Sequence, residues 1–124
     1  MKKVFLMVVM LFTIGVNVFA EDNNASEIER IDKYGIKVNT KRLANYLQLS
    51  ADQFDAVETV TNEFSNDMMF AAIECSGVNR GKVTRNAVSK NIKYMSYILS
   101  KEQYHKYLTV LNATINNRGI EIEE

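Results

Sequence analysis

The stretch "ADQFDAVETVTNEFSNDMMFAAIECS", residues 51–76, decides the fold. Phe54, Val57, Thr61, Phe64, Met68, Ala71 and Cys75 recur along it at spacings of 3-4-3-4-3-4. That period brings all seven to one face of a helix, as a seam of heptad type. A seam this long calls for another helix alongside. The whole chain holds no proline and only five glycines in 124 residues. Both residues punctuate turns, so their scarcity favours a few long helices. The helix is expected to stop at "CSGVNRGKV", where Gly77 and Gly81 can adopt positive φ cheaply and make the turn.

Working outward, a third helix is expected from about Val83 to Ile98, with Val88, Ile92, Met95 and Leu99 on one face. A fourth covers Lys101 to Asn116, with Tyr104, Leu108, Leu111 and Ile115 in step, and Asn117-Arg118-Gly119 ends it. Upstream, "NTKRLANYLQL" (39–49) makes a short first helix with Asn39 as its cap and Leu43, Tyr46 and Leu47 at helical spacing. The expected fold is all-α, a four-helix arrangement built on a long helical hairpin, over residues 39–119. Residues 21–38 read as a polar, weakly structured leader, with "SEIE" (26–29) as a capping box and "GIKV" (35–38) as a short extended piece. "IEIEE" (120–124) is an acidic tail, and no other stretch shows so strong an alternation of period 2.

The first twenty residues stand apart. Met1-Lys2-Lys3 is basic, and Val4 to Val18 is apolar apart from Thr13, Gly15 and Asn17. Val18-Phe19-Ala20 then precedes the polar run Glu21-Asp22-Asn23-Asn24. This is the layout of a secretory signal peptide cleaved after Ala20. The alternative is a retained anchor, but the apolar core is short of the roughly 20 residues a spanning helix needs. The expected location is periplasmic or otherwise exported, with membrane contact only through the uncleaved signal peptide. Losing Lys2 and Lys3 leaves 13 basic against 15 acidic residues, a net charge of −2. Bulk charge of that kind does not suit nucleic acid. Cys75 is the single cysteine, which excludes an intramolecular disulfide, and its place on the seam makes it a small buried residue.

Charge divides along the hairpin. Residues 50–76 hold the acids Asp52, Asp55, Glu58, Glu63, Asp67 and Glu74 and no base. Residues 77–106 hold Arg80, Lys82, Arg85, Lys90, Lys93, Lys101 and Lys106 against Glu102 alone. One reading is that an acidic helix packs beside a basic one, the flanking charges fixing orientation. Exposed pairs of this sort contribute only about 0–1 kcal/mol each. The other reading is a partner-binding basic segment, Arg80, Lys82, Arg85, Lys90 and Lys93, open to acidic ligands or unfolded clients.

Six residues recur: "LSADQF" (49–54) returns as "LSKEQY" (99–104), 50 positions on. Ser50 and Ser100 are N-caps, and Gln53 and Gln103, three residues later, can reach back to the cap amide. Leu49 with Phe54, and Leu99 with Tyr104, occupy the two positions of a hydrophobic staple. Each copy is therefore a helix corner. The doubled Leu-Ser-x-x-Gln also resembles the doubled Leu-Thr-x-x-Gln signature of the Spy/CpxP-like periplasmic proteins. That resemblance covers most of residues 39–116. It implies a small exported all-helical protein whose hairpin dimerises into a cradle, acting as an ATP-independent chaperone or as a regulator in envelope stress. It gives Leu49, Ser50, Gln53, Leu99, Ser100 and Gln103 an architectural role. "RLANYLQLSADQF" and "YILSKEQYHKYLTVLN" also resemble small exported Bacteroidetes proteins with no assigned activity.

Chemistry is sparse. His105 is the only histidine, so with one cysteine no His/Cys zinc site of the usual spacing can be assembled. Met68 and Met95 fall on core stripes, which makes them packing residues rather than soft-metal ligands. The glycines of "GVNRG" lack the lysine and spacing of a phosphate-binding loop, and no nucleophile elbow is present. Tyr94, Tyr97, Tyr104 and Tyr107 gather at the second corner, where they are expected to pack with hydroxyls at the surface. The expected function is non-enzymatic and without cofactor: an exported helical protein that binds unfolded clients or an envelope partner as an ATP-independent chaperone. The alternative is a structural or interaction module, a homodimer through the seam or a docking unit for one partner.

Overall fold

The computed structural model describes residues 12–14 and 25–120. The signal-peptide reading of residues 1–20 lies outside the described residues except for Phe12–Ile14, and the acidic tail does so beyond Ile120. In chain order the elements are β1 (Phe12–Ile14), α1 (Ala25–Tyr34), β2 (Ile36–Val38), α2 (Thr40–Leu47), α3 (Ala51–Ile73), α4 (Gly77–Ile98) and α5 (Lys101–Asn117). The fold is all-α apart from the two short strands, which pair antiparallel with Thr13 opposite Lys37.

The α3–α4 hairpin is the frame, and these two helices make the most extensive contact in the molecule. Val57, Thr61, Phe64, Met68 and Ala71 of the seam are buried, as are Thr84, Ala87, Val88, Asn91 and Met95 facing them on α4. The seam from Val57 to Ala71 is thus buried within the chain. Cys75, expected on the seam, lies past the end of α3 and is only half-buried. On α5 the buried face is Tyr107, Val110, Leu111, Thr114 and Ile115. Tyr104 and Leu108, expected on the core stripe, fall at its half-buried margin. The face is rotated because α5 packs between α2 and α4 and buries a wider arc than one stripe.

Two boundaries differ from expectation. Residues 21–38 are not a weakly structured leader throughout: α1 and β2 occupy 25–34 and 36–38. That makes five helices among the described residues instead of four. The composition is polar, but Ile31 and Ile36 are buried and Tyr34 packs against the core. These anchors suffice because α1 lies on α3. The link between α1 and β2 needs Gly35, since a Cβ there would lie 2.5 Å from the Ile31 carbonyl oxygen. Ser26 is the second residue of α1.

The second boundary is the hairpin turn. The expected turn at Gly77–Gly81 is instead the first helical turn of α4, and residues 74–76 make the reversal. Of the two glycines only Gly77 takes a positive φ, +53°. Arg80 explains how so short a reversal holds. Its Nε donates to the Ala71 carbonyl at 2.9 Å and its Nη2 to that of Cys75, while Arg30 Nε donates to Ala72 at 3.1 Å. Orphan carbonyls and the negative end of the α3 dipole are met by guanidinium groups in place of a glycine motif.

Candidate functional site

The repeated hexapeptides form the best-defined constellation. At the first corner Gln53 N–H donates to Ser50 Oγ at 3.1 Å, and Ser50 N–H donates back to Gln53 Oε1 at 3.0 Å. At the second, Gln103 N–H donates to Ser100 Oγ at 3.2 Å, and Ser100 N–H to Gln103 Oε1 at 2.9 Å. Both expected capping boxes are present. Leu99 is buried, and Leu49 and Tyr104 pack against the core, while Phe54 is half-buried.

The two corners also meet, which spacing alone does not reveal. Gln53 Nε2 donates to Gln103 Oε1 at 2.8 Å, and Gln103 Nε2 donates to Gln53 Oε1 at 3.2 Å. Each amide has a further acceptor. Gln53 Nε2 reaches the Ile98 carbonyl at 3.1 Å, and Gln103 Nε2 reaches those of Leu47 at 3.1 Å and Gln48 at 3.3 Å. Ile98 and Gln48 immediately precede the two motifs, so the clasp has near two-fold symmetry. Only an amide can do this, because each side chain must accept at its own cap and donate across. The approaches differ. Gln48 enters the first corner with φ +57°, whereas α4 runs directly into Leu99, which is extended.

Beside the clasp lies a cleft of about 220 Å³ lined by Leu47, Gln48, Ser100, Glu102, Gln103 and Lys106. Its Gln103 donors are already engaged, and it contains no nucleophile paired with a base. Across the core, the Tyr107 hydroxyl donates to Asn91 Oδ1, so this tyrosine is fully buried rather than surface-facing. Burial pushes its phenol well above the usual tyrosine range. Asn91 Nδ2 has no hydrogen-bond partner among the described residues. Tyr94 and Tyr97 are exposed, as is His105. Among the described residues no group of His, Cys, Asp and Glu could hold a metal ion, and no helix is long and apolar enough to cross a membrane.

The basic segment is divided in use. Arg80 closes the hairpin turn and lies 5.9 Å from the Tyr34 ring. Lys90 bridges the helices, 2.9 Å from Asp67 and 3.5 Å from Glu63. Its pKa is raised, first by the hydrogen bond to Asp67. Lys82 and Lys93 are exposed, and Arg85 is half-buried. The acidic-beside-basic pairing therefore exists at Lys90, while Lys82 and Arg85 stand on the turn-proximal part of α4. Around that turn Phe70 is 53 %, Ile73 45 % and Val78 84 % exposed. This apolar tip was missed by a reading that sought only the buried stripe. Its signal was present as Phe70, Ile73 and Val78 falling off the seam beside the reversal.

No protein-family model matches the chain, and no curated protein or solved structure matches it either.

Proposed function

We propose that this is an exported, non-enzymatic helical protein that binds unfolded or partly unfolded protein at the tip of the α3–α4 hairpin, without nucleotide. The observation that carries the reading is the exposed apolar group Phe70, Ile73 and Val78, with the cation Lys82 one turn from Val78. Exposed apolar side chains gathered at one place mark contact surfaces more often than chance scatter does. A neighbouring cation suits clients of acidic or mixed composition. The signal-peptide pattern of residues 1–20 supports export, and the doubled Leu-Ser-x-x-Gln supports kinship in design with the Spy/CpxP-like proteins.

The test is suppression of aggregation of several thermally or chemically unfolded clients at stoichiometric amounts without ATP. Suppression is expected, and Phe70→Ser with Val78→Ser should lose most of it while remaining folded. A folded protein that protects none of the clients would overturn the reading.

The runner-up is a structural or interaction module for one specific partner, or a dimer. It is favoured by the same tip, which is small enough to suit a single docking contact. Sedimentation over a range of concentrations separates a tip-mediated dimer, which Val78→Ser should dissociate, from a client-binding monomer.

A further inference from the structure

The clasp spends its own amides, but two charges beside it are unspent. Glu102 and Lys106, both on α5, line the cleft of about 220 Å³ next to the clasp. They stand four residues apart, glutamate first, a rise of about 6 Å along the helix. That order and spacing ordinarily favours an ion pair on a helix surface. Here none joins them: among the described residues the ion pairs are those of Lys90 with Glu63 and Asp67. Lys106 instead carries its ammonium toward the Tyr46 ring on α2, 5.8 Å from the centroid, within cation–π range. The cleft is thus flanked by a carboxylate and an ammonium held apart. The rest of its wall is polar as well. The Leu47 and Gln48 carbonyls each accept one bond from Gln103 Nε2, at 3.1 and 3.3 Å, and a carbonyl oxygen has two lone pairs. Ser100 Oγ accepts from the Gln103 amide at 3.2 Å and keeps its own proton to donate.

We infer that this cleft binds a free α-amino acid with a small side chain, its ammonium on Glu102 and its carboxylate on Lys106. Three features select that ligand class. An amino acid carries both charges on one small frame, which a carboxylic acid or an amine alone does not. Its primary ammonium has three N–H donors, enough for the Glu102 carboxylate and the two carbonyls, while Ser100 and Lys106 supply donors for its carboxylate. Its size also fits. A volume of 220 Å³ holds about seven waters, and it falls below the roughly 300–1,000 Å³ of sites for larger ligands. Glu102 and Lys106 are exposed, so the expected affinity is modest, on the order of 1 mM. Because the wall comes from both the end of α2 and the start of α5, the occupant bridges the two corners and stabilises the clasp by mass action. The site lies away from the hairpin tip and does not depend on the client-binding reading.

The experiment titrates the full chain with glycine, L-serine, acetate, methylamine and trimethylglycine, following the backbone amide resonances of Gln48 and of residues 100–106. Glycine and serine are expected to saturate these shifts. Acetate and methylamine lack one charge each, and trimethylglycine lacks the ammonium donors, so each should bind about five- to tenfold more weakly. Glu102→Gln and Lys106→Met should each weaken glycine by a similar factor while the ligand-free protein unfolds as the wild type does. Acetate or methylamine binding as tightly as glycine would overturn the inference in favour of a site for a single charge. Trimethylglycine binding as tightly would overturn it by showing that the ammonium donors are not used. The absence of any saturable shift in the wild type, or glycine binding unchanged in both variants, would overturn it outright.

Discussion

At one end of the α3–α4 hairpin, Ser50, Gln53, Ser100 and Gln103 close two corners on each other through nine side-chain hydrogen bonds whose partners all lie within the chain. At the other end, Ser76 makes no side-chain cap to α4, and the end of α3 is held by Arg80 reaching back to Ala71 and Cys75 and by Arg30 reaching Ala72. The first end leaves little for a partner to satisfy. The second exposes Phe70, Ile73 and Val78. Polar saturation at one end builds a rigid frame, and apolar exposure at the other leaves surface that only another molecule can cover. The contrast teaches that the repeated motif, the most conspicuous feature of the sequence, builds the two helix corners, and that the exposed apolar side chains lie at the end without it.

The largest effect expected is at the clasp. Gln103→Glu keeps the cap acceptor but sets a carboxylate against the Leu47 and Gln48 carbonyls and Gln53 Oε1. It should cost about 2–4 kcal/mol at neutral pH by urea unfolding, since several part-buried partners are left unmatched. The introduced carboxyl would have a folded pKa above its unfolded one. The stability is therefore recovered below the unfolded pKa and lost as pH rises through the folded value. A pH-independent loss would mean that the cross-corner donors do not matter.

Tyr107→Phe comes next. It leaves Asn91 without any hydrogen bond in the core and should cost about 1–3 kcal/mol. Because the phenol pKa is raised above its ordinary 10.0, its contribution is complete below that pH and is lost as pH rises through the folded value. Wild-type unfolding by alkali should thus begin above pH 10, and Tyr107→Phe should lose that component of the pH dependence. Adding Asn91→Leu should restore much of the loss at neutral pH.

Ser50→Ala and Ser100→Ala should each lower stability by about 1 kcal/mol, the usual worth of a cap. Because the two caps share the glutamine pair, the double variant should depart from additivity by a measurable coupling, where independent corners would simply add. Smallest of all, Phe70→Ser or Val78→Ser should change stability by no more than about 0.5 kcal/mol, as exposed sites do. A large loss there would place the tip in the core and erase the contrast between the two ends.

Residues 49–54 and 99–104 were legible as corners because capping is local chemistry: the cap, the glutamine and the amides they satisfy lie within four residues. The hairpin was legible because heptad spacing is a local property of one helix. Arg80 was not, since nothing in "GVNRG" tells that its guanidinium folds back onto α3 rather than into solvent. Asn91 and Tyr107 were hidden for a related reason. A polar residue reads as solvent-facing until a partner from another helix is brought to it, although Asn91 does stand one turn from Ala87 and Met95 on the buried face. Ile31 and Ile36 were too few to register as a pattern, and they count only because α3 offers a surface to receive them.

The sequence by itself determined the helices, their caps and the amphipathic face of α3, because each depends on residues within a turn or two of one another. Only the tertiary structure decided that the two glutamines, 50 positions apart, grip each other, that the seam is spent inside the chain, and that the apolar surface left over lies at the hairpin tip. Those outcomes depend on which faces meet, and a face is assigned only when the helices dock.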